Sequence, residues 1–270
     1  MKHILLILLF ILQLSGSQRI VSLSPSITEI LFALGAGEEI VATSSYSLYP
    51  KEAQSLPVIG GYHNPSLEKI IIHKPTLVIG QHYLNETLTN LEKFHIKTLE
   101  LHLETLQDIQ SSIIEIAKAV NKEEKAKELN KKIDDAISNA PKVKKSHSVM
   151  IVYGLREDIS RSVYIAGKNI FFDDIITACG NDNVYTDGTT AQPVLNYENI
   201  LALNPDQVII LHSLATEGEV DVDKALKNWY SLPINAAKDK KISIINENYL
   251  HNPSNRVALT IEKLCSEMNR

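Results

Sequence analysis

Six tyrosines (Tyr46, Tyr49, Tyr62, Tyr83, Tyr164 and Tyr249) stand just beyond strand-like runs of this chain. Gln81, His82, Gln192, His251 and Arg256 occupy comparable positions. In an α/β sheet, ligands bind at that edge, beyond the carboxyl ends of the strands. A tyrosine presents a broad apolar face with a polar tip, which suits a flat, bulky, partly polar ligand. Arg256 presents a planar fork for a carboxylate or phosphate. The predicted ligand-binding set is therefore Tyr46, Tyr62, Gln81, His82, Tyr164, Gln192, His251 and Arg256. Tyr49 and Tyr83 read equally well as loop packing.

The chemistry this set supports is capture, not turnover. The chain has no Gly-x-Ser-x-Gly elbow, no phosphate-cradling glycine loop and no His-Glu-x-x-His pair. Gly35-Ala36-Gly37 follows a helical pattern instead of opening one, so it is not a dinucleotide fingerprint. No catalytic residue is assigned and no enzyme is expected. Nine histidines raise a rival reading, direct binding of a transition-metal ion through imidazole and carboxylate ligands. His63 and His82 lie at strand ends where a cleft would open, but their spacing matches no compact ligand motif. The favoured reading assigns no metal ligand and no resident cofactor.

These residues need elements to position them, and the chain states its main element twice. Ser66-Leu67-Glu68-Lys69-Ile70 through Pro75 and Val78-Ile79 recurs, at a single offset, as Asn196-Tyr197-Glu198-Asn199-Ile200 through Pro205 and Val208-Ile209. Each copy reads as a short helix opening with an acid, a proline stop and a buried β-branched strand. An acid in the first turn opposes the positive end of the helix dipole, so Glu68 and Glu198 read at least as helix starts. Two copies predict two similar lobes, and two lobes make a cleft.

Along the chain, strand patterns alternate with helical ones, which means α/β with parallel-type sheets flanked by helices. Strands are expected near Arg19–Ser24, Glu39–Ser45, Thr76–Gly80 and His95–Leu103 in the first lobe. Ser148–Tyr153, Gln207–Leu211 and Lys241–Asn246 follow in the second. Ser24-Pro25-Ser26-Ile27-Thr28-Glu29 opens the first helix with a serine cap, an early proline and a Ser-x-x-Glu capping box ending at Glu29. Gly35 stops that helix. Between the lobes, Ala126, Leu129, Ile133, Ala136 and Ile137 keep helical spacing up to Pro141, with no glycine on the way. A flexible linker has the opposite composition, so a stiff helix joins the lobes and hinge motion should be small. The boundaries are a leader over 1–17, an N-terminal lobe over 18–120, a connecting helix over 121–145 and a C-terminal lobe over 146–270.

Composition agrees with this plan. The leader has a basic start, an apolar run from Ile4 to Leu12 and small residues before a cut after Ser17, the pattern of a cleaved secretory signal. That run is too short to span a bilayer, and no cysteine follows it to carry a lipid anchor. A net charge of −5 with scattered basic residues argues against a nucleic-acid partner. The two cysteines, Cys179 and Cys265, both fall on apolar helix faces of the C-terminal lobe. In an exported chain they suggest one disulfide, the alternative being two buried thiols.

Three stretches together carry a family resemblance: Ser22-Leu23-Ser24-Pro25-Ser26-Ile27-Thr28-Glu29, Ser45-Tyr46-Ser47 with Tyr49-Pro50, and Leu67-Glu68-Lys69-Ile70 with Lys74-Pro75. They resemble the periplasmic binding proteins that serve ABC importers of cobalamin, haem and ferric siderophores. The likeness covers nearly the whole mature chain and is nearest to the cobalamin-binding members, whose paired cysteines and basic cleft residue match Cys179, Cys265 and Arg256. It implies a monomeric periplasmic receptor that holds a metal chelate between two lobes, cobalamin ahead of haem or a siderophore. It also implies delivery to a permease dimer with its ATPase, one surface acid per lobe, Glu68 and Glu198, docking against permease arginines. One departure concerns the pocket. Where cobalamin binders place tryptophans, this chain has Gly61 or Tyr62, Gln81 and Gln192, which makes the cleft more polar.

Overall fold

The computed structural model describes residues 18–143, 145–160, 162–186, 188, 190–212 and 220–270. The predicted leader over 1–17 lies outside the described residues. The first sheet contains β1 (Ile20–Ser22), β2 (Ile40–Thr43), β3 (Leu77–Gln81) and β4 (Thr98–Leu101), ordered β2-β1-β3-β4 and parallel throughout. Helices α1 (Pro25–Ala33), α2 (Leu67–Ile72), α3 (Asn85–Glu92) and α4 (Leu106–Ala119) connect and flank these strands. Gly35 ends the first helical segment with φ +80°, the left-handed stop its position predicts.

The connection is a helical hairpin. After α4 the chain reverses at Asn121, a left-handed residue (φ 56°), and returns as α5 (Glu123–Ser138). The helices run antiparallel: the Gln110 amide donates to Asp134 (2.8 Å), and Asn130 donates to the Gln110 carbonyl (3.0 Å). At 1.5 Å per residue α5 is about 24 Å long. Its inner face of Ala126, Leu129, Ile133 and Ala136 joins an apolar cluster running from Ile20 and Ile79 of the first lobe to Ile151, Phe172 and Leu264 of the second. The core is thus continuous through the junction, a physical reason for stiffness beyond the lack of glycine.

The second lobe follows in chain order as β5 (Ser148–Tyr153), β6 (Val163–Ile165), α6 (Phe171–Ala178), β7 (Asp182–Asn183), β8 (Val194–Leu195), α7 (Tyr197–Leu203), β9 (Gln207–Leu211), α8 (Val222–Tyr230), α9 (Asn235–Lys238), β10 (Ile242–Ile245) and α10 (Val257–Met268). Strands β10-β9-β5 are parallel and repeat the β4-β3-β1 order of the first sheet. This sheet departs from the parallel expectation, because β6 and β8 add to it antiparallel. They are short segments whose sequence gives no strand-length run. The last helix also starts later than Pro253, since Asn252–Arg256 is taken up in an inter-lobe contact described below.

The repeat is matched at backbone level. Ser66 caps α2 by accepting from the Lys69 amide, and Asn196 caps α7 by accepting from the Asn199 amide. Ile70 and Ile200 are both fully buried. Lys74 (φ 48°) and Asn204 (φ 45°), each just before its proline, both take the left-handed conformation that turns the helix into the central strand. Trp229 is buried as a packing anchor. Among the described residues, no helix is long and apolar enough to cross a membrane.

Cys179, capping α6, and Cys265, on α10, form a disulfide with Cα atoms 5.1 Å apart across 86 residues. Constraining so long a loop in the unfolded chain stabilises by roughly 4–5 kcal/mol in the chain-entropy account.

Candidate functional site

A cavity of about 830 Å³ lies between the lobes. The first lobe lines it with Tyr46, Tyr49, Tyr62, His63, Gln81 and Tyr83, and the second with Tyr153, Phe171, Phe172, Gln192, His251 and Arg256. Local structure explains the tyrosines. The Tyr46 loop is pinned below by a Thr43 hydroxyl donating to Ser47 (2.8 Å) and tied to the Tyr62 turn by the Ser45 amide on the Gly60 carbonyl (2.8 Å). Tyr46 itself has φ 66° and keeps 57% of its surface in solvent. Its ring is therefore held out into the cleft instead of packing inward. His63 sits between Tyr62 and Tyr83, with ring centroids at 4.2 and 5.1 Å. Burial, followed by the neighbouring Tyr62, pushes the Tyr83 phenol up to about 12, so it stays a neutral hydroxyl. On the facing wall, burial raises the Tyr153 phenol further still, the nearby Gln192 side chain acting weakly in the opposite direction. Tyr153 packs edge-on against Phe172 (5.6 Å) and near His251 (5.9 Å).

A second cavity, of about 510 Å³, shares Tyr153 and His251 with the first and is lined also by Arg156 and Tyr164. The Arg156 guanidinium lies 5.3 Å over the Tyr164 ring. Of the predicted set, the main cavity gathers Tyr46, Tyr62, Gln81, Gln192, His251 and Arg256, and the adjoining one takes Tyr164 and His251.

Two residues depart from their expected surroundings. His82 does not line either cavity. Its Nδ1 lies 2.6 Å from Glu100 and its ring stacks on His102 at 4.7 Å. His63, inside the cavity, therefore does not join it, and the pair His63 and His82 forms no common ligand set. Arg256 reaches the cavity wall, but its fork is already engaged. Its Nε and Nη2 donate to the two Glu29 oxygens (2.9 and 2.5 Å), and Nη1 donates to Asn248 (2.9 Å). The guanidinium carbon lies over the Tyr49 ring, 3.9 Å from its centroid. Tyr49 is thus both packing and cavity wall.

Glu29 does not take the capping role its position in the sequence predicts. Ser24, not Ser26, caps α1, accepting from Ile27, so the expected capping box at Glu29 does not form. Glu29 is 3% exposed and also accepts from Ser254 (2.5 Å) and Asn252 (3.0 Å). Every one of these partners comes from the other lobe. Its signal in the sequence was an acid beside the apolar stripe of Ile27, Ile30 and Leu31, which looks the same for a capping residue. A further tie joins the lobes at the base of α4. Asp174 of α6 accepts from the Leu106 amide (2.8 Å), and the Phe171 amide donates to the Glu104 carbonyl (2.6 Å). Burial raises the Asp174 carboxyl above its ordinary range.

Glu68 and Glu198 are exposed in the first turns of α2 and α7 and lie outside the cavity lining. The arrangement as a whole offers an aromatic slot between two tightly tied lobes, with hydroxyls, amides and imidazoles at its walls.

Known proteins share this fold. The chain is 25% identical over 256 residues to the vitamin B12-binding protein of Pectobacterium atrosepticum, covering 93% of this chain and 88% of that one. The periplasmic heme-binding protein RhuT of Roseiflexus sp. RS-1 superposes with a TM-score of 0.76 at 27% identity, covering 94% of this chain and 98% of that one. The periplasmic vitamin B12-binding protein BtuF of Vibrio cholerae shares the fold with a TM-score of 0.75 at 22% identity, over 93% and 96% of the two chains. These relatives are binding proteins and not enzymes, and their class implies a periplasmic setting and a permease partner. With the family model described as periplasmic binding protein matching residues 20–249, the chain belongs to the periplasmic binding protein family.

Proposed function

We propose that the protein is a periplasmic receptor that captures a planar metal chelate between its lobes, cobalamin first, and delivers it to an ABC-importer permease. The observation that carries the ligand class is the inter-lobe cavity, walled by Tyr46, Tyr62 and Tyr83 on one side and Tyr153 and Phe171 on the other. Aromatic faces on both walls suit a flat macrocycle, and the Gln81 and Gln192 amides suit its polar rim. The vitamin B12-binding relatives support cobalamin within that class. Haem is the second reading, favoured by His63 between two tyrosines, because imidazole and phenol groups are axial ligands of haem iron. On this reading residues 1–17 are an export leader, removed before the receptor works, and Glu68 and Glu198 are the docking acids.

The test is a thermal-shift and titration panel on the purified protein with cyanocobalamin, haemin, a ferric siderophore and free zinc. A ligand that binds only the folded state raises Tm with its concentration. A rise with cyanocobalamin supports the first reading, and a rise with haemin alone supports the second. No response to any chelate, together with a zinc response abolished by His63→Ala, would replace both with direct metal-ion binding in the cleft.

A further inference from the structure

Strand β4 separates two environments by its pleat. Leu99 and Leu101 pack against the main core cluster, so Glu100 and, one step beyond the strand, His102 project from the opposite face. In the parallel register Gly80 pairs with Glu100 and Gln81 with Leu101, which carries His82 alongside His102. Period and register thus bring two imidazoles and a carboxylate to one exposed patch. One ligand atom from each of His82, Glu100 and His102 lies within 4.8 Å of the others. The two rings are stacked 4.7 Å apart, and Glu104 places a carboxylate oxygen 3.4 Å from His102 Nδ1.

We propose that His82, Glu100 and His102 form a surface site for a divalent transition-metal ion. Imidazole with carboxylate suits zinc, nickel or copper, whereas magnesium and calcium take all-oxygen shells. Three protein ligands leave a coordination position open to water, as in other three-ligand zinc sites. Glu104 beside His102 is placed as the outer carboxylate that orients a metal-bound imidazole. The neighbouring residues Gln81, Tyr83, Leu103 and Glu104 line the inter-lobe cavity, so the ion would sit on the first lobe's lip, outside the slot. This site does not depend on which chelate the cleft accepts, since none of its three ligands lines either cavity.

The experiment is equilibrium dialysis of the full chain against zinc, with metal counted by elemental analysis, and cobalt substitution followed by visible absorption. The expected result is one ion per chain and cobalt ligand-field bands. His82→Ala and His102→Ala should each weaken zinc binding by at least about tenfold and abolish the cobalt bands. Glu100→Gln, which keeps shape and removes the charge, should weaken it in the same direction. All three side chains are exposed, so circular dichroism should report folded variants. Absence of bound zinc in the parent chain, or zinc binding that survives His82→Ala and His102→Ala, would overturn the proposal.

Discussion

Glu29 of α1 and Arg256 at the start of α10, 227 residues apart, form a two-pronged ion pair across the lobe boundary, at 2.5 and 2.9 Å and almost wholly out of solvent. Asn252 and Ser254 saturate the same carboxylate, and Tyr49 covers the guanidinium. Removing one partner of a buried pair leaves the other charge without compensation, a loss of about 3–5 kcal/mol. Glu29→Gln and Arg256→Ala should each lower the unfolding free energy by about that amount in urea titrations. Replacing both with apolar residues of similar volume should recover much of the loss. Single variants within about 1 kcal/mol of the parent would mean the pair does not hold the lobes.

The cleft tyrosines should act on ligand affinity and not on folding. Tyr62→Ala and Tyr46→Ala should each weaken chelate binding by about 1 kcal/mol or more, since each removes an aromatic face from the slot. Tyr197→Ala, an exposed tyrosine outside the cavity, serves as the comparison and should leave affinity unchanged. Calorimetric titration with the chelate identified by the ligand panel reads the difference, and equal affinities in all three variants would move the ligand elsewhere.

Glu68 and Glu198 should matter only when the permease is present. A single exposed ion pair is typically worth less than about 1 kcal/mol. Two acids held at fixed spacing by one stiff body act together, because the second contact forms at high effective concentration. Reversing both to Lys should leave chelate affinity and Tm nearly unchanged and abolish uptake in proteoliposomes carrying the permease. Normal uptake by the double variant would reduce both acids to helix starts.

The Cys179–Cys265 bridge should resist modification until reduced. Unfolded but unreduced protein should take up no maleimide. Reduction should then lower stability by roughly 4 kcal/mol, read as a drop in the urea midpoint. Two maleimide adducts before reduction would show free thiols in the purified protein.

Asp206, in the turn that launches β9, gives an acid-dependent contribution. The Ser148 backbone amide, then the Asn235 side chain, hold its carboxyl below the ordinary aspartate range. A lowered folded value means that this contribution is complete above the unfolded aspartate value, and is lost as pH falls through the folded one. The gap in urea midpoint between the parent and Asp206→Asn should therefore be wide near about pH 7 and close toward about pH 2. A gap that stays constant across that range would remove the carboxylate from the effect.

The lobes themselves were legible because their signals are local. Helix caps at Ser66 and Asn196, the prolines after them and the β-branched strands that follow depend only on neighbouring residues, and the repeat doubled that signal. Ser148–Tyr153 and Gln207–Leu211 were placed to the residue for the same reason: continuous apolar runs bounded by turn formers have few alternatives. Most of the cleft-facing tyrosines and glutamines followed from one rule, that ligands meet a sheet at its strand ends.

What stayed hidden was pairing across the chain. The pattern around Glu29 is the same whether the carboxylate caps its own helix or crosses to Arg256, because a capping preference is worth only about 1 kcal/mol and tertiary contacts override it. Arg256 likewise reads as an open fork until its partner is seen. The place of His82 in the sequence points to the cleft, and only the register of β3 on β4 turns it toward Glu100 and His102. The antiparallel strands β6 and β8 leave no mark in the sequence, because segments of two or three residues carry no period. The sequence by itself determined the longer helices and strands, their order and the two-lobed plan, since these rest on interactions between residues close along the chain and on its internal repeat. The tertiary structure alone decided which charged groups face the ligand and which neutralise one another, because those choices depend on distances between residues apart in sequence, 18 positions for His82 and Glu100 and 227 for Glu29 and Arg256.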